Sequence, residues 1–319
     1  MNDGPEIHRR RSRFARDGRG SLCLTPDDLA IIGYVGRHRF LRSAQLLRLF
    51  PHRSPQNFLW CLASLYHAGY LDRPKAQINY FASSGSSPIV YALGNKGAAL
   101  HARMRNAAPA LTDWTDKNRS LTRPYIEHAL LVADIMIGLE PQVHSRADLQ
   151  LVRDGELRAA LPPVWWQASM PWTLDARIAQ DGKHQTLSVA PDAVFALHFP
   201  ASDRRSNFFL EADRATMPIE RRSLSQTSFK NKLSVYLAAH RADQHLQRFG
   251  FRNFRVLTVT TSPERLRSIL AVVTAITNGQ GSGMFLFTDL ATLKLHADLL
   301  SLPWHSTKGH IRIDLPPRS

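Results

Sequence analysis

Four side chains in the second half of the chain have the types and spacing to do chemistry: Asp192, Glu211, Asp213 and Lys232. Segments 189–199 (VAPDAVFALHF) and 207–213 (NFFLEAD) read as two strands of one hairpin, joined by the polar turn PASDRRS. Alternation puts Phe209, Glu211 and Asp213 on one face and Phe208, Leu210 and Ala212 on the other. A strand this apolar is buried. Two carboxylates on one buried face repel each other and lose hydration, so they persist only where a cation, a metal or a basic side chain meets them. Asp192 can join from the preceding strand, and three hard oxygen ligands suit Mg²⁺ or Mn²⁺. The competing reading ends both strands in solvent, at Asp192 and Asp213, and pairs Glu211 with an arginine such as Arg214.

The elements that must position these groups follow from periodicity. A helix is expected over 218–241, with Phe229, Leu233, Tyr236 and Leu237 on its apolar face and Lys232 on or beside that face. Lys230, about 200° around the helix, faces solvent. A lysine on an apolar face needs an anion, and the hairpin carboxylates are the nearest. Strands are expected at 149–152, 254–260 (FRVLTVT) and 285–287, with helices at 124–139, 263–278 and 290–300. The aromatic run VWWQASMPW packs near this core. The result is a mixed α/β core without a glycine-rich phosphate loop.

The first third has a different character. Residues 1–20 hold six arginines against three acids, and residues 21–110 hold ten Lys/Arg against three aspartates. These residues therefore carry +10 of the net +15. Such a field points to a polyanionic partner, most often nucleic acid, rather than to a merely basic soluble protein. Residues 1–20 read as a disordered basic arm. A helix starts at Thr25, with Pro26 at its first position and Asp28 closing an approximate capping box. A second is expected over 42–50, and a third after Ser54 and Pro55 with Phe58, Leu62, Leu65 and Tyr66 as its apolar stripe, stopped by Gly69. Two strands (70–81 and 88–93) around the loop ASSGSS and a helix over 95–104 close the module. Gln56, Asn57 and Trp60 lie off the stripe of the third helix, and Arg42, Arg53, Arg73 and Lys75 flank it. These seven are the candidate DNA contacts, Gln56 and Asn57 to adenine and Arg53 to phosphate or guanine.

The longest apolar run, ALLVADIMIGL, is too short to span a membrane and is broken by Asp134. No signal peptide is visible, and two cysteines give neither a disulfide framework nor metal spacing, so a cytoplasmic location is expected. The domain expectation is an arm over 1–20, a DNA-binding domain over 21–105, a linker over 106–121 and the mixed core over 122–319.

The run LYHAGYLDRPK … PIVYALGNKGAALHA resembles winged helix-turn-helix modules, whose third helix enters the major groove, and the resemblance implies double-stranded DNA as the partner. The core resembles the restriction-endonuclease-like superfamily, whose signature is Pro-Asp, a spacer and Asp/Glu-x-Lys. Here Pro191-Asp192 and Glu211-x-Asp213 match, with Asp213 in place of the lysine and Lys232 on the next helix as its substitute. The resemblance implies Asp192, Glu211 and Asp213 as metal ligands, Mg²⁺ as cofactor and Lys232 as the catalytic amine. Taken whole, through LYHAGYLDR, VYALGNKGAAL, IEHALLVADI, PDAVFAL, FFLEADRATMPI, FKNKLSVYL and FLFTDLATL, the chain resembles the replication-relaxation family of plasmid and mobile-element proteins. The expected fold class is therefore α+β, a winged helix-turn-helix followed by a restriction-endonuclease-like core. The expected function is a DNA-binding accessory role in replication, relaxation or mobilisation, with a relaxase or replication initiator as partner and a homodimer as a further expectation. A Mg²⁺-dependent endonuclease or nickase and a winged-helix transcriptional regulator are the alternatives.

Overall fold

A computed structural model describes residues 13–17, 22–78, 88–107, 112–166, 168, 170–180, 182–224, 226–296 and 298–317. The chain divides into two compact units, residues 1–134 and 135–319.

In the first unit, α1 (Pro26–His38) opens on the capping box read from sequence: the Thr25 hydroxyl accepts from the Asp28 N–H, and the Asp28 carboxylate accepts from the Thr25 N–H. The short strand β1 (Leu41–Arg42) leads into α2 (Ser43–Leu49), then α3 (Pro55–His67). Gly69 ends α3 at φ +87°, where a side chain would be strained. β2 (Leu71–Asp72), β3 (Val90–Leu93), α4 (Asn95–Met104) and α5 (Trp114–Arg119) follow. β3 lies between β1 and β2, antiparallel to both. Ile31, Ile32, Val35, Leu46, Phe58, Leu62 and Leu65 are fully buried. The outer part of the expected hairpin, 79–87, lies outside the described residues.

Two expectations for this unit change. Residues 13–17 are tied down: Arg16 pairs with Asp72, Tyr66 donates to the Phe14 carbonyl and the Asp17 N–H donates to His67. The rest of the arm expected over 1–20, residues 1–12 and 18–20, lies outside the described residues. The expected linker 106–121 contains α5, and Asn118, 1% exposed, donates to Asp72 and to the Leu93 carbonyl. The division falls instead within α6 (Arg123–His144), after Asp134.

The second unit is built on a seven-stranded mixed sheet. In chain order it comprises β4 (Gln150–Arg153), α7 (Asp154–Ala159), α8 (Pro163–Trp166), β5 (Leu174–Gln180), β6 (Lys183–Val189), β7 (Ala193–Phe199) and β8 (Arg204–Ala212). Then come α9 (Phe229–Arg241), α10 (Gln244–Phe249), β9 (Arg255–Thr260), α11 (Pro263–Ile276), β10 (Phe285–Asp289), α12 (Leu290–Leu295), β11 (Trp304–Ser306) and β12 (Gly309–Ile311). The strand order is β12-β11-β10-β9-β8-β7-β4, with β8, β9 and β10 mutually parallel. The apolar runs that form β8, β9 and β10 are what a sheet covered on both faces requires. Phe209, Val256, Phe285 and Phe287 share one core with Phe229, Leu233 and Tyr236 of α9 and with Ile269 and Val273 of α11.

The helix expected over 218–241 is only half that length. The Phe229 and Lys230 N–H groups donate to the carbonyls of Pro218 and Ile219, and the Ser228 hydroxyl caps Asn231. Orphan donors of the first turn are thus met by a folded-back loop, so the helix begins at Phe229. Val189, expected in the carboxylate hairpin, belongs instead to β6, which pairs with β5 as a separate two-stranded ribbon.

Candidate functional site

The register of β7 and β8 pairs Ala193 with Leu210, which brings Asp192 opposite Glu211 just outside the strand end. Asp192 is fixed there by its own backbone and side chain: its N–H donates to the Leu210 carbonyl, and its Oδ2 accepts from the Ala212 N–H at 2.8 Å. Glu211 is 2% exposed on the same face as Phe209. Lys232 and Tyr236 stand one turn apart on α9, so both reach down to it. Lys232 Nζ donates to Glu211 Oε2 at 2.6 Å and Tyr236 Oη donates to Oε1 at 2.6 Å. On β9, Thr258 sits beside Glu211 in parallel register, fully buried.

The electrostatics follow from two carboxylates and one amine. Burial pushes the Glu211 carboxyl up, with Asp192 adding to the rise and Lys232 opposing it. Burial works against the Lys232 ammonium, but Glu211 and Asp192 together hold its pKa above the usual lysine value. Burial and the facing Glu211 raise the Tyr236 phenol well above its ordinary range. Burial is thus the main cause of the rise at Glu211 and Tyr236, and the facing carboxylates are the cause at Lys232.

Asp213 does not join them. Just past the end of β8, it takes a two-pronged bond from Arg265 of α11, through Nε to Oδ2 and Nη2 to Oδ1, the latter at 2.9 Å. Thr260 Oγ1 donates to Oδ2 at 2.7 Å and the Ala215 N–H donates to Oδ1. Among the described residues no group of three His, Cys, Asp or Glu is arranged to hold a metal ion. The three-carboxylate cluster expected from sequence is thus replaced by two ion pairs, Glu211–Lys232 and Asp213–Arg265. The partners found for Glu211 are Lys232 and Tyr236, not Arg214. Arg265 was missed, although a signal existed: it is in phase with the buried Ile269 and Val272 of its helix, whereas Arg267 is not.

The residues expected to meet DNA separate into three groups. Gln56 and Asn57 are exposed in the first turn of α3, and Trp60 follows one turn on at 65% exposure. Lys75 is also exposed. Arg53 is paired with Asp27 at 2.8 Å and Arg42 with Asp134 at 3.3 Å, both half-buried at the surface. Arg73 corrects the expectation. It is 8% exposed, lies over the Tyr66 ring at 4.1 Å, and donates to the Tyr91 hydroxyl and the Arg13 carbonyl. It clamps the segment 13–17 and is not placed to touch a phosphate.

With this geometry in place, the chain matches a family model described as replication-relaxation over residues 32–253. The match runs from α1 through β8 and α9 to the threshold of β9, and the chain belongs to that family. Comparisons with curated proteins and with solved structures return no match. Family membership fits a role in the replication or relaxation of a plasmid or mobile element. Among the described residues no helix is long and apolar enough to cross a membrane.

Proposed function

We propose that the protein is a double-stranded-DNA-binding accessory factor in plasmid or mobile-element replication, relaxation or mobilisation, acting beside a relaxase or replication initiator. The observation that carries this reading is the exposed side of α3. Gln56, Asn57 and Trp60 project from a helix whose opposite side, Phe58, Leu62 and Leu65, is fully buried and so holds it rigid. The order α1, β1, α2, α3, β2, β3, with β3 central in the small sheet, is that of a winged helix-turn-helix, and the concentration of positive charge in this third of the chain supports a polyanionic partner. Fluorescence anisotropy with labelled duplex tests it. Asn57→Ala is expected to weaken specific binding about tenfold, the weight of a bidentate base contact. Full-length wild-type protein that leaves duplex free at low salt refutes the reading.

The endonuclease alternative draws on Asp192, Glu211 and Lys232. The donors present do not fit a divalent cation. Both Glu211 oxygens are taken by Lys232 and Tyr236, Asp213 is taken by Arg265, and Mg²⁺ requires near-octahedral oxygen ligation. Supercoiled plasmid incubated with the protein and Mg²⁺ is expected to stay supercoiled. Nicking that disappears in Asp192→Ala would restore the enzyme.

A further inference from the structure

The composition of the exposed side of α3 carries a specificity. The helix, PQNFLWCLASLYH, contains no Lys, Arg, Asp or Glu. Guanine is read in the major groove chiefly by Arg or Lys and cytosine by Asp or Glu, so both side-chain classes that select a G·C pair are absent. The two classes that select an A·T pair are both present and both face outward. Gln56 and Asn57 are exposed amides of the kind that bond adenine N6 and N7 together. Leu59, 45% exposed, and Trp60, 65% exposed, form an apolar patch one turn further along, reached from Gln56 by three and four residues. Large apolar side chains left in water call for an apolar partner group, and the thymine methyl is the one the major groove offers. The cations of this unit lie off the helix, at positions such as Arg48 and Lys75, and Arg53, two residues before it, is held by Asp27.

We infer that α3 reads A·T base pairs, with Gln56 and Asn57 on adenine and Leu59 and Trp60 against thymine methyl groups. This rests on the duplex-binding reading above. The test uses the full chain to select from a random duplex pool, followed by competition between the selected duplex and the same duplex with uracil in place of thymine. The selected core is expected to be rich in A·T pairs. Removing one methyl should weaken wild-type binding about fourfold, the weight of one buried methylene. The Leu59→Ala/Trp60→Ala variant, altered only at exposed positions, should bind more weakly and no longer distinguish uracil from thymine. A retained duplex whose core shows no A·T preference overturns this inference and leaves the DNA-binding reading standing. A double variant with wild-type affinity and wild-type uracil sensitivity also overturns it, and assigns the patch to a protein partner. If no duplex is retained, both readings fall together.

Discussion

Glu211 illustrates how a buried carboxylate is held. Its two oxygens each receive one short bond, from an ammonium and a phenol spaced one helical turn apart. Removing the ammonium strands the charge. Lys232→Met is therefore expected to cost about 3 kcal/mol at neutral pH, by urea unfolding, because an uncompensated buried ion remains. The cost should shrink on acidification. A carboxyl raised above its usual 4.5 in the folded state binds a proton there before the unfolded chain does, so stability rises as pH falls through the raised value. In the wild type the sign is the same at the alkaline end. Lys232 is raised from 10.5, so its contribution is complete below that value and is lost as pH climbs through the folded one. Tyr236→Phe removes a donor but no charge and should cost about 1.5 kcal/mol. A Lys232→Met penalty that does not vary with pH would contradict this account of the cluster.

At the scale of elements, close approach decides what the sequence tolerates. α4 runs so near the β2 entry that a Cβ on Gly97 would stand 2.0 Å from the Tyr70 carbonyl oxygen. Gly97→Ala is expected to destabilise by about 2 kcal/mol or more, seen as a lowered Tm, because backbone must move to admit it. Gly33 in α1 is the contrast: its nearest neighbour would be the Met104 methyl at 3.8 Å, an ordinary contact. Gly33→Ala should stabilise by about 0.5–1 kcal/mol through helix propensity alone. The opposite order of melting temperatures would refute the packing of α4. In the second unit the pair of helices α9 and α11 serves the same positioning role, each carrying one cation over the end of β8.

For the molecule as a whole, charge is the governing quantity. With a net +15 and two-thirds of it in residues 1–110, the proposed duplex binding is expected to depend on counterion release. Raising salt from about 50 to about 200 mM should weaken binding at least about a hundredfold if several phosphates are neutralised. Anisotropy titrations across that range check it, and a salt-independent affinity would exclude a phosphate interface. The Glu211 cluster lies in the other compact unit, so its variants should leave the salt slope unchanged.

What depends on near neighbours in the chain was legible before any fold was known. The capping box at Thr25, the buried stripe of α3, the bounds of α4, the runs that become β9 and β10, and the seat of Lys232 on α9 all follow from periodicity and capping within a few residues. So did the demand that a buried carboxylate at 211 find a cation, since desolvation imposes it whatever the fold. Which cation answers which acid depends on how distant segments fold together. Asp213 and Arg265 are 52 positions apart, and Asn118 and Asp72 are 46 apart. No local pattern connects such residues. The parallel register of β8 and β9 and the turn of α11 over it bring the first pair together, and in doing so they remove Asp213 from the site that its spacing from Glu211 suggested.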